Sequence, residues 1–547
     1  MKRLLCVLLA LLMMTGGLSL AESDKPVPGK ITVMVFDRGN VPSSEGNAAN
    51  NRWTQWVKDH APVEVEFLSV ARAEADQILV HLFATGKAPD YIPYGSNPQA
   101  FVTNGMCLEI TDDMLQQVPN YLKRIAAYPE ADKAATFSGV RYGFGYAENV
   151  FHNHNIVIRK DWLDNLGLSI PTTTNELLNI MQAFTIGDPD GNGLHDTWGT
   201  SLTSDSQRIY AHMWGFPWPE KYVEDADGSV VYAWDRMEDW LDFCKTIVNS
   251  GYMNPDFMLM KGDDDRVDFL NGRIGIYGQA RFANPSSGSS LYRDFMARNP
   301  EAELVSFALP ATEYGQYTAY INGGVSFDGF INPKTENLAG VLAYVNWLME
   351  PEVEEYLSFG PLGEYYAKSD DGTYYAVTSV DRIEDELAWS PFYDATIKLN
   401  GDETDRFAND QYNQYLISGD PVTQQYGALF YQLSSIANVQ GASDPRKWQQ
   451  FLPVLPGDLQ AIKVRTNAEV DAILKAALIN PRITAAEAVA NARQVWIEAG
   501  GERVDAFYAE YYASAGDTAL RMSDFDRMKA MPRLTEAARS VYEQLSQ

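Results

Sequence analysis

Between Ile31 and Tyr94 the spacing of apolar residues changes period four times, and no other stretch limits the fold of this chain so tightly. Ile31 to Val35 is a short apolar run ending at Asp37-Arg38-Gly39, which reads as a buried strand entering a surface loop rich in Asn, Ser and Gly. A helix follows near Arg52 to His60, carrying Trp53 and Trp56. Val63, Val65 and Phe67 then alternate with Glu64 and Glu66 as a second strand, and Ala75, Ile78, Leu79, Leu82 and Phe83 recur at helical spacing up to Gly86. Asp90 to Tyr94 supplies a third strand. Strand, helix, strand, helix, strand in so few residues is the pattern of a parallel sheet covered by helices, an α/β arrangement. Ligands of such sheets lie beyond the carboxyl ends of the strands, which makes Arg38, Tyr94 and Asn97 candidate binding residues.

At 547 residues the chain exceeds one ordinary core and is expected to form two or three domains. Its 43 Lys and Arg against 73 Asp and Glu leave a net charge of -30, a field that repels nucleic acid and anionic membrane surfaces alike. Met1 to Ala21 has the build of a secretory signal: Lys2 and Arg3 are basic, Leu4 to Met14 apolar, and Ser19-Leu20-Ala21 a small-x-small cleavage site. Cys6 lies inside the apolar core and not after a lipobox, so a free protein beginning near Glu22, periplasmic or extracellular, is expected. No later apolar run approaches the ~20 residues needed to span a bilayer. Cys107 and Cys244 read as two buried free thiols.

Asp188-Pro-Asp190-Gly-Asn192-Gly193-Leu194-His195-Asp196 places oxygen-bearing residues at the alternating positions of a twelve-residue calcium loop. Asp188, Asp190, Asn192 and Asp196 fill the side-chain slots, Leu194 the backbone-carbonyl slot, and Gly193 the sharp turn. Three carboxylates in nine residues repel one another unless a cation lies between them, so Ca2+ is the expected cofactor, in a structural role. Position twelve, where the scheme wants a bidentate glutamate, is Gly199. The competing reading is that Asp-Pro, Asp-Gly and Asn-Gly are turn-forming pairs that need no metal. Before the loop, Thr173 and Glu176 form a capping box for a helix whose apolar face is Leu177, Ile180, Met181 and Phe184. After it, Trp198 to Leu202 has no helical period, so the ion would staple a fold and not drive a paired sensor.

His152 and His154 are spaced as half a metal site, but without a third ligand nearby they read as structural. Trp214, Trp218 and Trp234 flank a stretch rich in Pro, Gly and Asp, and Gly272 to Gly278 reads as a strand ending near Tyr277, Gln279 and Arg281. Aromatic faces stack on the C-H faces of sugars while amides and charged groups bind hydroxyls, so Trp214, Trp218, Tyr277 and Arg281 join the candidate ligand set. Trp347, within the periodic set Leu338, Leu342, Val345 and Leu348, is expected in the core. Thr484 and Glu487 cap a helix whose inner face is Val489, Ala492, Trp496 and Ala499. Gly-x-Ser-x-Gly, phosphate-loop and His-Glu-x-x-His motifs do not occur, so hydrolase, nucleotide and zinc-protease readings lack a positive motif.

Arg159-Lys-Asp-Trp-Leu-Asp-Asn-Leu-Gly-Leu-Ser-Ile-Pro-Thr-Thr-Thr-Asn-Glu-Leu, followed by Phe184 and the Asp-x-Asp-x-Asn-Gly loop, resembles a hallmark segment of the extracellular solute-binding proteins of ABC importers, family 1. The branch is the large carbohydrate-binding one that includes alginate-oligosaccharide binders. Asn299-Pro-Glu-Ala, Ile331-Asn-Pro-Lys-Thr, Phe359-Gly-Pro-Leu-Gly-Glu-Tyr-Tyr366 and Val495-Trp-Ile-Glu-Ala-Gly-Gly501 resemble further segments in the same order, so the likeness runs over roughly residues 30 to 512. The departures are the missing lipobox and Thr197, where some members place a further acidic ligand.

The resemblance implies a two-lobed fold, each lobe a mixed sheet flanked by helices, with a cleft between. It implies an N-terminal lobe of 28–148 plus 320–360, a C-terminal lobe of 149–319 plus 361–530 carrying the calcium loop, and a tail at 531–547. Hinge strands are expected near Ala147 to Phe151 and near Thr318 to Gly323. Glu148, Asn149 and Trp389 complete the expected ligand set. The implied function is non-enzymatic: a monomer binds an oligosaccharide between its lobes and presents it to the transmembrane subunits of an ABC permease. The rival reading is a secreted glycoside hydrolase with a structural calcium site, whose paired carboxylates are invisible in sequence. A calcium-stabilised surface adhesion protein is a third.

Overall fold

The computed structural model describes residues 25–94, 98–137, 139–147, 154–225, 227–260, 264–283, 285–317, 325–368, 374–397, 413–441, 452–521, 524 and 534–546. The expected signal segment and most of both expected hinges, 148–151 and 318–323, lie outside these residues. Fifteen strands lie among the described residues: β1 (Lys30–Asp37), β2 (Glu64–Ala71), β3 (Tyr91–Tyr94), β4 (Thr136–Phe137), β5 (Val140–Arg141), β6 (Phe144–Ala147), β7 (Asn155–Arg159), β8 (Trp198–Thr200), β9 (Tyr222–Glu224), β10 (Val230–Tyr232), β11 (Ile274–Gln279), β12 (Leu304–Ser306), β13 (Val325–Ile331), β14 (Tyr366–Lys368) and β15 (Tyr374–Ala376).

The first sheet has the order β2-β1-β3-β13-β6. β1 runs parallel to β2 from Lys30 opposite Glu64 to Asp37 opposite Ala71, and parallel to β3, while β13 enters antiparallel between β3 and β6. Successive side chains of a strand leave opposite faces. Ile31, Val33 and Val35 accordingly feed one core, and Met34 and Phe36 the other. A strand covered on both sides is apolar on both sides, which is why β1 shows a run and not an alternation. β2 at the edge buries Val65 and Phe67 and leaves Glu64 and Glu66 exposed. The helix Arg52–His60 starts at Asn51, whose side chain accepts from the Thr54 amide while the Thr54 hydroxyl accepts from Asn51.

The second sheet has the order β12-β7-β11-β8. Ile156 and Ile158 face one core and Val157 the other. Against it packs the helix Thr174–Ile186, with the Thr173/Glu176 capping box and Leu177, Ile180, Met181 and Phe184 all buried. The approach is so close that a Cβ at Gly275 would lie 2.1 Å from the Phe184 ring, and one at Gly199 2.4 Å from Met181 Cα. The chain passes from the first sheet to the second between Ala147 and Asn155 and returns between Ser306 and Val325. Two lobes therefore share the chain.

Three boundaries differ from expectation. Tyr365, Tyr366, Tyr374, Ile383, Leu387, Trp389, Phe392 and Ile397 pack in the core of the first lobe, not the second. Phe392 meets Phe67 of β2 edge-on at 5.7 Å, so the described residues of 361–397 cover the sheet face that β2 leaves open, while those from 413 to 519 stay with the second lobe. The described part of the expected tail, 534–546, is packed: the helix Glu536–Leu545 buries Ala538 and sets Tyr542 against Tyr431 of the helix Pro421–Gly441. Residues 519–521 and 524 touch both lobes. Ala519 belongs to the second core and Leu520 to the first, Arg521 bonds the Glu224 carboxylate of β9, and Asp524 pairs with Lys133 at 3.3 Å.

Candidate functional site

Ala147 and Asn155 are eight residues apart, so the sheet edges they belong to lie within ~29 Å of each other. On the first sheet that edge holds the carboxyl ends of β1, β3 and β6 and the amino end of β13. On the second it holds the amino end of β7 and the carboxyl ends of β8, β11 and β12, as fixed by Gln279 opposite Asn155 and Ser306 opposite Val157. These facing edges are the candidate cleft. A shallow depression beside Lys25, Asp59, His60 and Glu64 lies at the other end of the first sheet, by the amino end of β2, and has no part in it.

The second lobe's edge is polar and only partly open to water. His154, only 2% exposed, has Nε2 3.3 Å from Arg208 Nη1 and 3.6 Å from Asp205 Oδ1. Burial holds its imidazole below the usual range against the opposing pull of Asp205. Burial raises Asp205, but hydrogen bonding and charge from His154, the Ala280 amide and Arg208 outweigh it and leave the carboxyl low. Ala280 N donates to Asp205 Oδ2 at 3.2 Å and to Gln279 Oε1 at 2.7 Å. Ser201 and Ser206 share a 2.6 Å hydroxyl contact, and Ser206 donates to the Gly278 carbonyl. Helix Ser204–Met213 starts at this edge and carries Asp205 and Arg208 one turn apart. Donors and acceptors of both charges, the charged pair half-buried and fixed by its neighbours, are what vicinal hydroxyls require for orientation.

Of the expected ligand residues, the structure places Arg38 exposed just beyond β1, and Tyr94 half-buried at the end of β3, edge-on to Phe36 at 5.4 Å. Both stand on the first edge. Asn97, Glu148 and Asn149 lie outside the described residues, and Arg281 belongs to the short turn Ala280–Ala283 after β11. Trp214, Tyr277 and Trp389 are corrected from platforms to core. Trp214 is buried against Phe243, Tyr277 is stacked on Phe269 at 4.1 Å, and Trp389 donates its indole N–H to Asp385 O. Rings this deeply buried, at 7%, 0% and 4% exposure, leave no face open to a sugar. Trp218 is half-buried, flanked by Trp240 at 5.1 Å and by the Lys221 ammonium at 4.8 Å. Its neighbouring Gly and Pro mark a bend that folds inward. The sequence reading missed Asp205, Arg208 and Asn155, since one helix turn after a strand end carries no motif.

The loop 188–196 turns as expected, with Asp188 itself at φ 50 and Gly193 at φ 77. Gly193 N donates to the Asp188 carboxylate, and the Asn192 amide bridges Asp190 Oδ2 at 2.9 Å and Asp196 Oδ1 at 3.3 Å. Desolvation, reinforced by the neighbouring Asp188 and Asp196, raises the Asp190 carboxyl. Among the described residues no three His, Cys, Asp or Glu side chains converge as a metal cage. Position twelve is closed to any side chain, because Gly199 lies in β8 against Met181. The donors that remain are all hard oxygens, the kind Ca2+ takes.

A family model described as bacterial extracellular solute-binding protein matches residues 54–361. The polygalacturonan/rhamnogalacturonan-binding protein YtcQ of Bacillus subtilis is 28% identical over 343 residues, 58% of this chain and 65% of that protein, just under two thirds of its length. The Streptococcus pneumoniae ABC-transporter substrate-binding protein FusA, solved with kestose, superposes with a TM-score of 0.66 at 16% identity, over 89% of this chain and 100% of that one. Alginate-binding protein AlgQ2, solved without calcium ion, gives 0.62 at 16% identity, over 90% and 99%. At such identity the two structures speak for the fold, which is the two-lobed one traced above.

Proposed function

The chain belongs to the bacterial extracellular solute-binding proteins, and from that premise we propose that it binds an oligosaccharide between its lobes, unaltered, and hands it to the permease of an ABC importer. The observation that carries this reading is the pair of sheet edges at the crossovers, one of them lined by the buried His154 and Gln279 and the half-buried Asp205 and Arg208. The sugars named for its relatives, in YtcQ and FusA, support the ligand class. Arg38 and Tyr94 would meet the ligand from the first lobe. Ca2+ would be held by Asp188, Asp190, Asn192, the Leu194 carbonyl and Asp196, fixing the loop between the helix Thr174–Ile186 and β8. When bound, the ion supplies a charge that three carboxylates can share.

The test is titration calorimetry of the whole chain with kestose and with trigalacturonate, coupled to product analysis. Binding of either sugar without new product is the expected result. Products accumulating during the titration would replace transport by glycoside hydrolysis, and no heat with either would remove the oligosaccharide.

A further inference from the structure

We infer that Asn155 is a specificity-determining contact of the cleft, its side-chain amide donating to a hydroxyl or ring oxygen of the bound sugar. This rests on the oligosaccharide reading above. Asn155 is the first residue of β7, at the crossover edge, and is only 3% exposed. Its Nδ2 is buried and has no hydrogen-bond partner among the described residues.

The surroundings show what kind of partner is missing. Asn155 lies opposite Gln279 in the register of β7 and β11. That second amide is engaged at both ends, accepting from Ala280 N at 2.7 Å and donating to the Tyr277 hydroxyl at 3.4 Å. The rest of β7 up to Ile158 is apolar and buried. An apolar side chain at 155 would therefore suit the fold at least as well as an amide does, because an unpaired buried donor carries its desolvation cost with no return. An oxygen arriving with the ligand supplies that return only in the bound state. Sites of this kind discriminate sharply against analogues that lack the matching group, since the buried donor is then left unpaired.

Wild type, Asn155→Leu and Asn155→Ala are compared as full-length chains, by calorimetric titration with kestose and with trigalacturonate and by melting of the free protein. For the sugar that binds wild type, both substitutions are expected to weaken binding at least tenfold. The free Asn155→Leu protein is expected to melt at the wild-type temperature or higher, a readout that a structural role would move the other way. Affinity within about twofold of wild type, at unchanged melting, would show that the amide is no ligand contact. Lower melting temperatures for both free variants would show that it is already paired without ligand, and would equally overturn the inference. If neither sugar binds wild type, the oligosaccharide reading fails first and takes this contact with it.

Discussion

Replacing Trp214 by alanine separates the structure's account of this residue from the one its neighbours suggest. Gly215 and Pro217 point to a loop, and an exposed loop tryptophan in a sugar-binding chain reads as a stacking platform. The ring is instead 7% exposed and lies 4.9 Å from Phe243 in the core of the second lobe. A buried aromatic removes about 150–250 Å² from water, which at about 25 cal/mol per Å² comes to about 4–6 kcal/mol. Alanine keeps part of that area, and Trp→Ala in cores costs ~3–5 kcal/mol. With ~2–4 °C lost per kcal/mol for a lobe of this size, Trp214→Ala is expected to melt ~6–20 °C lower. Calorimetric melting of the free protein gives the first number, and titration with the bound sugar at a temperature where the variant is folded gives the second. Affinity should stay within a factor of two or three. A variant that melts normally but binds thirtyfold more weakly would put the ring back in the cleft and refute the packing argument.

Removing calcium with a chelator is expected to lower the melting temperature by about 5–10 °C if the ion is present at ~100 times its Kd, and Asp190→Ala should abolish that dependence; a melting curve indifferent to both would reduce the loop to a turn. Lys463 and Glu220, paired at 2.8 Å with side chains 9% and 5% exposed, should respond asymmetrically: Lys463→Met alone costs ~3–5 kcal/mol in urea unfolding, whereas Glu220→Leu with Lys463→Met regains most of it. Because burial lowers the His154 pKa, the unfolded chain takes up that proton first; stability is complete above the unfolded value of ~6.5 and is lost as pH falls through the lower folded value. The melting temperature of wild type should therefore drop more between pH 7 and pH 5 than that of His154→Gln, and parallel pH curves would count against it.

The elements with strong local signals were legible. The helix from Thr174 was fixed by a capping box and a four-residue apolar face, and the structure has both. β1 was legible because a strand buried on two faces is apolar throughout, and Trp347 because its helix has a regular period. Cys107 and Cys244 are free and buried as expected. What failed was assignment across sequence distance. Nothing local tells that Trp389 or Phe392 closes a sheet face built by residues three hundred positions earlier, so the described residues of 361–397 depart from the expected C-terminal lobe, whereas Tyr415 to Leu433 and Leu452 to Ala519 keep to it.

The candidate site was less legible than the fold for a related physical reason. A stacking platform and a core aromatic have the same composition, and only tertiary packing decides which face stays open. The polar floor of the cleft differs again: His154, Asn155, Asp205 and Gln279 come from three separate stretches and are joined only by the register of β7 with β11 and by the helix that begins at Ser204. Each alone looks like an ordinary surface residue. Brought together, three buried and Asp205 half-buried, they become costly unless paired, and that cost is the signal, visible in the fold and absent from the sequence. The same reasoning reaches Gly199. In the calcium scheme its position asks for a glutamate, but in the fold it is a strand residue pressed against Met181, so the demands of the sheet override those of the loop. Any ion held there must complete its shell with oxygens from outside the twelve-residue scheme, which makes the affinity a property of the second lobe's packing and not of the loop alone.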